Sequence, residues 1–154
     1  MEDVVKIASY ICQRYLKQFG DRIDEMKLHK LLYFMQRESI IQTGEPLFAD
    51  CFEAWRYGPV MVSIRQRYKS DTLQEVLPSS EEERYLKVFD TVFDLYAPKD
   101  SWSLSSITHG EYAWQEARRR SVSDEQHRTI FTEDIRKDAE RVRVRRILYK
   151  RMTS

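Results

Sequence analysis

At 154 residues, with 26 basic and 25 acidic side chains and a formal net charge of +1, the chain is one domain of ordinary size, long enough to take roughly two-thirds of its unfolded surface out of water. A third of its residues are charged and 12% aromatic, the composition of a soluble globular protein; no apolar run nears the roughly 20 residues of a membrane helix, and the acidic Met1-Glu2-Asp3 start is unlike a signal peptide, so a cytoplasmic protein is expected. Cys12 and Cys51 lack Cys-x-x-Cys spacing, which argues against a disulfide framework or a thiolate metal site and for two reduced, buried thiols.

Along the chain, Val4, Ile7, Ala8, Ile11, Tyr15 and Phe19 recur at helical spacing and predict an amphipathic helix, capped by Asp3 and ended by Gly20. A second helix starts at Asp24-Glu25, carries Leu28, Leu31, Leu32 and Met35 as its apolar stripe, and stops at Gly44 before Glu45-Pro46. Lys30 lies one position off that stripe and is expected in solvent, with a reach to a partner carboxylate as the lesser alternative. Irregular chain from Leu47 leads into a short strand ending at Tyr57, and helical spacing resumes through Val60, Ile64 and Tyr68. The Gly58-Pro59 pair is expected to be the turn between them. Ser79-Ser80 followed by Glu81, Glu82 and Glu83 predicts a helix start, with Tyr85, Val88, Phe89, Val92, Phe93 and Tyr96 as its buried face and Pro98 beyond its end. Two short helices follow, one bearing Leu104, Ile107 and Thr108 and ending at Gly110, the other carrying Trp114 inward. Thr129-Ile130-Phe131 reads as a brief strand beside the first. Thr132, with Glu133 and Asp134, is expected to cap a last, basic helix at about 132–151 that bears Ile135, Ala139 and Val142. The fold expected is mainly α (α+β), a helical bundle with a small two-stranded β element in a single domain over 1–154.

The residues offer little reactive chemistry. His29, His109 and His127 have no spacing that pairs them with a cysteine, no His-x-x-x-His or Cys/His cluster suggests a metal, and the four glycines stand apart rather than forming a phosphate loop. No catalytic residue, metal or cofactor is expected. His109 is read as a structural residue bonding carbonyls at its helix end and positioning the turn, and Trp102 and Trp114 as core fillers.

The most telling stretch is Trp55-Arg56-Tyr57-Gly58-Pro59-Val60. Strand alternation sets Phe52, Ala54 and Arg56 on one face and Glu53, Trp55 and Tyr57 on the other, so Trp55 and Tyr57 are expected to project together beside a rigid turn. Charge is also segregated. Met1 to Ala117 holds 14 basic and 19 acidic residues, whereas Arg118 to Ser154 holds 12 basic and 6 acidic ones. The basic tail reads first as a solvated helix whose arginines complement its dipole, and secondarily as a phosphate- or acid-binding surface.

Lys27-Leu28-His29-Lys30-Leu31-Leu32-Tyr33, Gly44-Glu45-Pro46-Leu47-Phe48, Phe52 to Val60, and Leu104 to His109 with Trp114 and Ala117-Arg118 resemble, in order, the successive motifs of the Panacea family of SocA-like and GepA-like phage- and mobile-element-associated proteins. His29 stands where that pattern has glutamine and Ala113 where it has proline. The resemblance implies an antitoxin domain that neutralises a toxin encoded beside it by protein contact, with no activity of its own. In SocA-like members it implies further an adaptor that delivers the toxin to a Clp-type protease. On this basis Lys30, Tyr33, Trp55, Arg56 and Tyr57 are expected at the toxin-binding face, with Gly58, Pro59, Thr108, His109 and Trp114 as structural motif positions. A nucleic-acid-binding regulator of its own operon is the lesser alternative, and the sequence does not set an oligomeric state.

Overall fold

The computed structural model describes residues 1–123 and 127–154. Helix α1 covers Val4–Phe19, α2 Glu25–Thr43, strands β1 and β2 Glu53–Trp55 and Gly58–Val60, α3 Val62–Lys69, α4 Ser79–Leu95, α5 Ser101–His109, α6 Tyr112–Arg119 and α7 Thr132–Thr153. The chain is mainly α with a small antiparallel β element.

Local chemistry sets most helix ends. Asp3 accepts the Val5 amide at 2.8 Å and Asp24 the Lys27 amide at 2.8 Å, each satisfying one of the amides that a helix start leaves orphaned. Gly20 and Gly44 close α1 and α2 at φ 81, the left-handed conformation that glycine adopts without penalty. The last helix departs from expectation: its cap is Phe131, with Thr132 inside the first turn and no side chain bonded to the helix start. Helix α6 also lacks a cap of its own, and Asp138 of α7 supplies it, accepting the Tyr112 and Ala113 amides at 2.9 and 2.8 Å.

The organising element is α2. Sequence spacing gives it one apolar stripe, yet every residue from Lys27 to Ile40 is buried, because α1, α3, α4, α5, α7 and β2 all pack against it. Its apolar side chains join Ile7, Ile11, Phe48, Phe52, Phe89 and Phe93 in the core, where a fully buried Leu or Phe contributes on the order of 1.5–3 kcal/mol. Polar groups in such a helix require partners. Lys27 donates to the Ala97 carbonyl at 3.1 Å and the Tyr15 hydroxyl at 3.2 Å. The Gln36 amide bonds the backbone of Leu47 and Phe48. Arg37 donates to Glu111 at 2.7 Å and to the Tyr96 hydroxyl at 2.6 Å, and Arg146 grips Glu38 through two bonds of 2.8 and 2.9 Å.

The hairpin differs from its sequence reading in register and in partner. Gly58 and Pro59 are not the turn. They lie in β2, opposite Trp55 and Ala54, and the loop is Arg56-Tyr57. Gly58 takes φ 122 while neither loop residue has a positive φ, so the conformation that a side chain disfavours falls on the residue that lacks one. Pro59 faces Ala54, whose own amide turns outward to the Arg128 carbonyl at 2.8 Å; a proline is tolerated where no ladder hydrogen bond is required of it. The 129–131 segment supplies one isolated bridge, Thr129 to Glu53, rather than the expected partner strand.

The thiols and two indoles also depart from the sequence reading. Cys51 is exposed and Cys12 half-buried, its thiol pushed up to about 11 by burial. Trp102 stands 61% exposed, and Trp114 is half-buried rather than interior.

Candidate functional site

The hairpin is held from behind by a ladder of side chains. Ser105 Oγ donates to the Tyr57 carbonyl at 2.6 Å, His109 Nε2 meets the Arg56 carbonyl at 2.9 Å, Trp114 Nε1 donates to the Trp55 carbonyl at 2.8 Å, and Arg118 Nη1 to the Ala54 carbonyl at 3.3 Å. Four successive carbonyls are thus bonded by four side chains spaced four or five residues apart on α5 and α6, which places them along one continuous edge. The carbonyl that His109 meets belongs to the hairpin loop and not, as expected, to the end of its own helix. The Trp114 ring stacks on His109 at 4.4 Å, and Thr108, fully buried, bonds the Ser105 carbonyl at 2.8 Å.

In front of the hairpin is a cleft of about 430 Å³ lined by Glu25, Met26, His29, Lys30, Trp55, Arg56, Tyr57, Val60, Arg65 and His127. The two aromatics both line it but have different ring partners. Trp55 stacks on His127 at 4.2 Å beneath the Arg65 guanidinium at 5.3 Å, and its indole N–H donates to Glu53 at 2.9 Å. Tyr57, at the loop and 45% exposed, meets Trp102 edge-on at 5.3 Å. The Arg56 side chain lies over the Tyr57 ring at 5.4 Å.

The cleft floor is electrostatically ordered. The Met61 amide donates to His29 Nδ1 at 3.3 Å, which leaves Nε2 to donate to Glu25 at 3.1 Å, fixing the neutral tautomer. Burial holds the His29 imidazole below its ordinary pKa, against the pull of Glu25. The His29 hydrogen bond, with the Arg65 guanidinium 2.6 Å away, holds the Glu25 carboxyl below the usual carboxylate range.

Lys30 is the exception among the buried charged side chains of α2, and the Tyr33 hydroxyl of the same helix is likewise without a hydrogen-bond partner among the described residues. Expected in solvent, Lys30 is only 1% exposed, and its ammonium makes no hydrogen bond or close ion pair among the described residues. Burial pushes it down to about 8, with Asp24 and Glu25 acting weakly against that. A Cβ on Gly58 would lie 2.6 Å from Lys30 Cε, 3.0 Å from Lys30 Nζ and 2.7 Å from Thr108 Oγ1. Glycine at 58 therefore makes the room in which the lysine tip lies.

Of the residues expected at a binding face, Lys30, Trp55, Arg56 and Tyr57 meet at this cleft. Tyr33 does not. It is fully buried behind the hairpin, its ring edge-on to Phe34 and Phe52 at 5.8 and 5.5 Å. Sequence reasoning missed Arg65, His127 and the supporting Ser105, because their alignment with the hairpin arises only from packing; the motif that places Ser105 beside His109 and Trp114 was its one signal. Among the described residues, no three His, Cys, Asp or Glu side chains gather as a metal-binding group.

The stretch 28–115 matches the family model described as antitoxin SocA-like, Panacea domain, which spans more than half of the chain and contains the hairpin, Lys30 and three of the four ladder donors. The chain belongs to this family. Its membership supports an antitoxin role in the general sense. No curated protein and no solved structure matches the chain. The Panacea stretch excludes Glu25, Met26 and His127 at the cleft and Arg118 at the end of the ladder. Beyond it, several arginines of the basic tail are engaged within the chain: Arg120 on the Thr129 carbonyl, Arg136 on the Gly44 carbonyl, Arg143 on Glu140 and Arg146 on Glu38. Among the described residues, no helix is long and apolar enough to cross a membrane.

Proposed function

We propose that this chain neutralises a cognate toxin encoded beside it by direct protein contact, and that the hairpin face carrying Trp55, Arg56 and Tyr57, with Lys30 behind it, is where the toxin docks. The observation that carries this reading is the carbonyl ladder: a two-strand hairpin too short to be stable alone is held by Ser105, His109, Trp114 and Arg118 while presenting Tyr57 and Trp102 to solvent. A pre-ordered loop with exposed aromatic and arginine side chains has the character of an interface hot spot. In this reading residues 1–154 work as one domain with α7 part of it, in the cytoplasm, and transform no substrate. Delivery of the bound toxin to a Clp-type protease would use the same contact.

The test is co-expression with the neighbouring reading frame. The Tyr57→Ala, Trp102→Ala double variant removes two exposed rings. It is expected to keep its thermal midpoint while losing neutralisation, with affinity down by roughly 30-fold or more, as for a hot-spot loss of about 2 kcal/mol. Full neutralisation by the folded variant would overturn the placement. A toxin whose lifetime is the same in cells with and without Clp protease would remove the delivery step.

A further inference from the structure

We propose that the cleft in front of the hairpin is an acid-recognition socket: it takes the carboxylate of a glutamate or aspartate side chain from a partner protein, with Lys30 Nζ as its buried counter-charge and Arg56 at its rim. The inference rests on the reading of the hairpin face as a toxin-docking surface and names what enters it.

Three observations converge. The cleft is lined by three permanent or near-permanent cations, Lys30, Arg56 and Arg65, against one acid, Glu25, and Glu25 is already claimed by Arg65 and His29. Two cations are therefore left without a carboxylate among the described residues. Lys30 is 1% exposed and makes no hydrogen bond among the described residues, whereas the charged Lys27, Arg37 and Glu38 of the same helix are partnered; an ammonium so placed gains most from an incoming anion, because little solvent screens the pair. The cleft wall, finally, is apolar and flat. The Trp55 ring, stacked on His127, and Val60 offer surface to the methylene stem of an acidic side chain and to its apolar neighbours. A volume of about 430 Å³ lies within the range of roughly 300–1,000 Å³ typical of ligand sites.

A protein side chain, rather than a free phosphate, fits this arrangement. Phosphate sites rely on forked guanidinium donors or successive backbone amides, whereas here the buried donor is one lysine at the end of an apolar wall.

Two capped tripeptides test it, Ac-Leu-Glu-Leu-NH2 and Ac-Leu-Gln-Leu-NH2, with inorganic phosphate as a third probe, each titrated into the full chain while the Trp55 indole and Lys30 side-chain resonances are followed by NMR. The Glu peptide is expected to bind saturably and about tenfold tighter than the Gln peptide, the scale of a charge-assisted hydrogen bond. In Lys30→Met that preference should vanish; in Arg56→Gln, a change at the exposed rim, it should shrink severalfold. Equal binding of the two peptides, or an undiminished preference in Lys30→Met, would overturn the proposal, and phosphate binding tighter than the Glu peptide would assign the site to a free anion instead. Should Lys30→Met not fold, the Lys30 resonances of the unsubstituted protein decide, since they must move with the Glu peptide and not with the Gln peptide. Neutralisation that depends on Tyr57 and Trp102 while the two peptides bind alike would sink this inference and spare the docking reading.

Discussion

Lys30 sits where its charge is disfavoured, and the cost has a definite pH dependence. Burial lowers its amine from the ordinary 10.5 to about 8, a gap worth roughly 3 kcal/mol. The unfolded chain holds that proton more tightly than the folded one, so the destabilisation is complete below about pH 8 and fades between about 8 and 10.5. Lys30→Met should therefore raise the thermal midpoint near pH 7 by several degrees, at about 2–4 °C per kcal/mol, and the advantage should shrink near pH 10. Scanning calorimetry at the two pH values checks this. A Met variant less stable than the parent at pH 7 would mean that Lys30 serves stability after all. The sequence placed this residue in water because a stripe of leucines implies one wet face, and a single sequence does not reveal that six other elements close around α2.

At the scale of elements, the ladder joins α5 and α6 to the hairpin through backbone acceptors. Trp114→Phe keeps an aromatic ring but removes the N–H that reaches the Trp55 carbonyl, together with part of the indole surface. It should lower stability by about 1 kcal/mol, or 2–4 °C in thermal midpoint, readable by circular dichroism. A variant indistinguishable from the parent would show the bond to be incidental. The helices were legible here from their periodicity, capping aspartates and terminal glycines, as at Asp3, Asp24, Gly20 and Gly44. The first strand was legible but the hairpin was not, since Gly58 to Val60 read as a turn into a helix and the partner strand was expected at 129–131. Gly58-Pro59 carries the composition of a turn, yet the glycine is needed one step later, where its φ of 122 and the nearby Lys30 and Thr108 atoms leave no space for a Cβ. The shared task of the motif residues His109 and Trp114 was not legible, because it consists of bonds to carbonyls some 50 to 60 positions away that no side-chain pattern encodes.

Over the whole molecule, the excess of arginine after residue 117 looked like a surface available to partners, and the fold spends much of it internally. Arg146 binds Glu38, 108 positions earlier, and Glu38 is only 1% exposed; Arg143 binds its neighbour Glu140 on an exposed helix face. The two arginines are alike in sequence and unequal in consequence. Arg146→Ala leaves the buried Glu38 carboxylate with the Gln42 amide as its remaining partner and should cost roughly 1–3 kcal/mol, whereas Arg143→Ala should cost at most about 0.5 kcal/mol. Urea denaturation of both variants measures the difference, and equal midpoints would refute the distinction. Charge segregation was readable from composition alone, but which cation meets which acid depends on α7 crossing α2, a contact between residues as much as 108 positions apart.

The supports beneath the hairpin grip main-chain oxygens and ignore the identity of the side chains above them. Positions 55 to 57 are in that respect fingertips on a fixed hand: their side chains can be exchanged while the bonds that hold the backbone beneath them stay as they are.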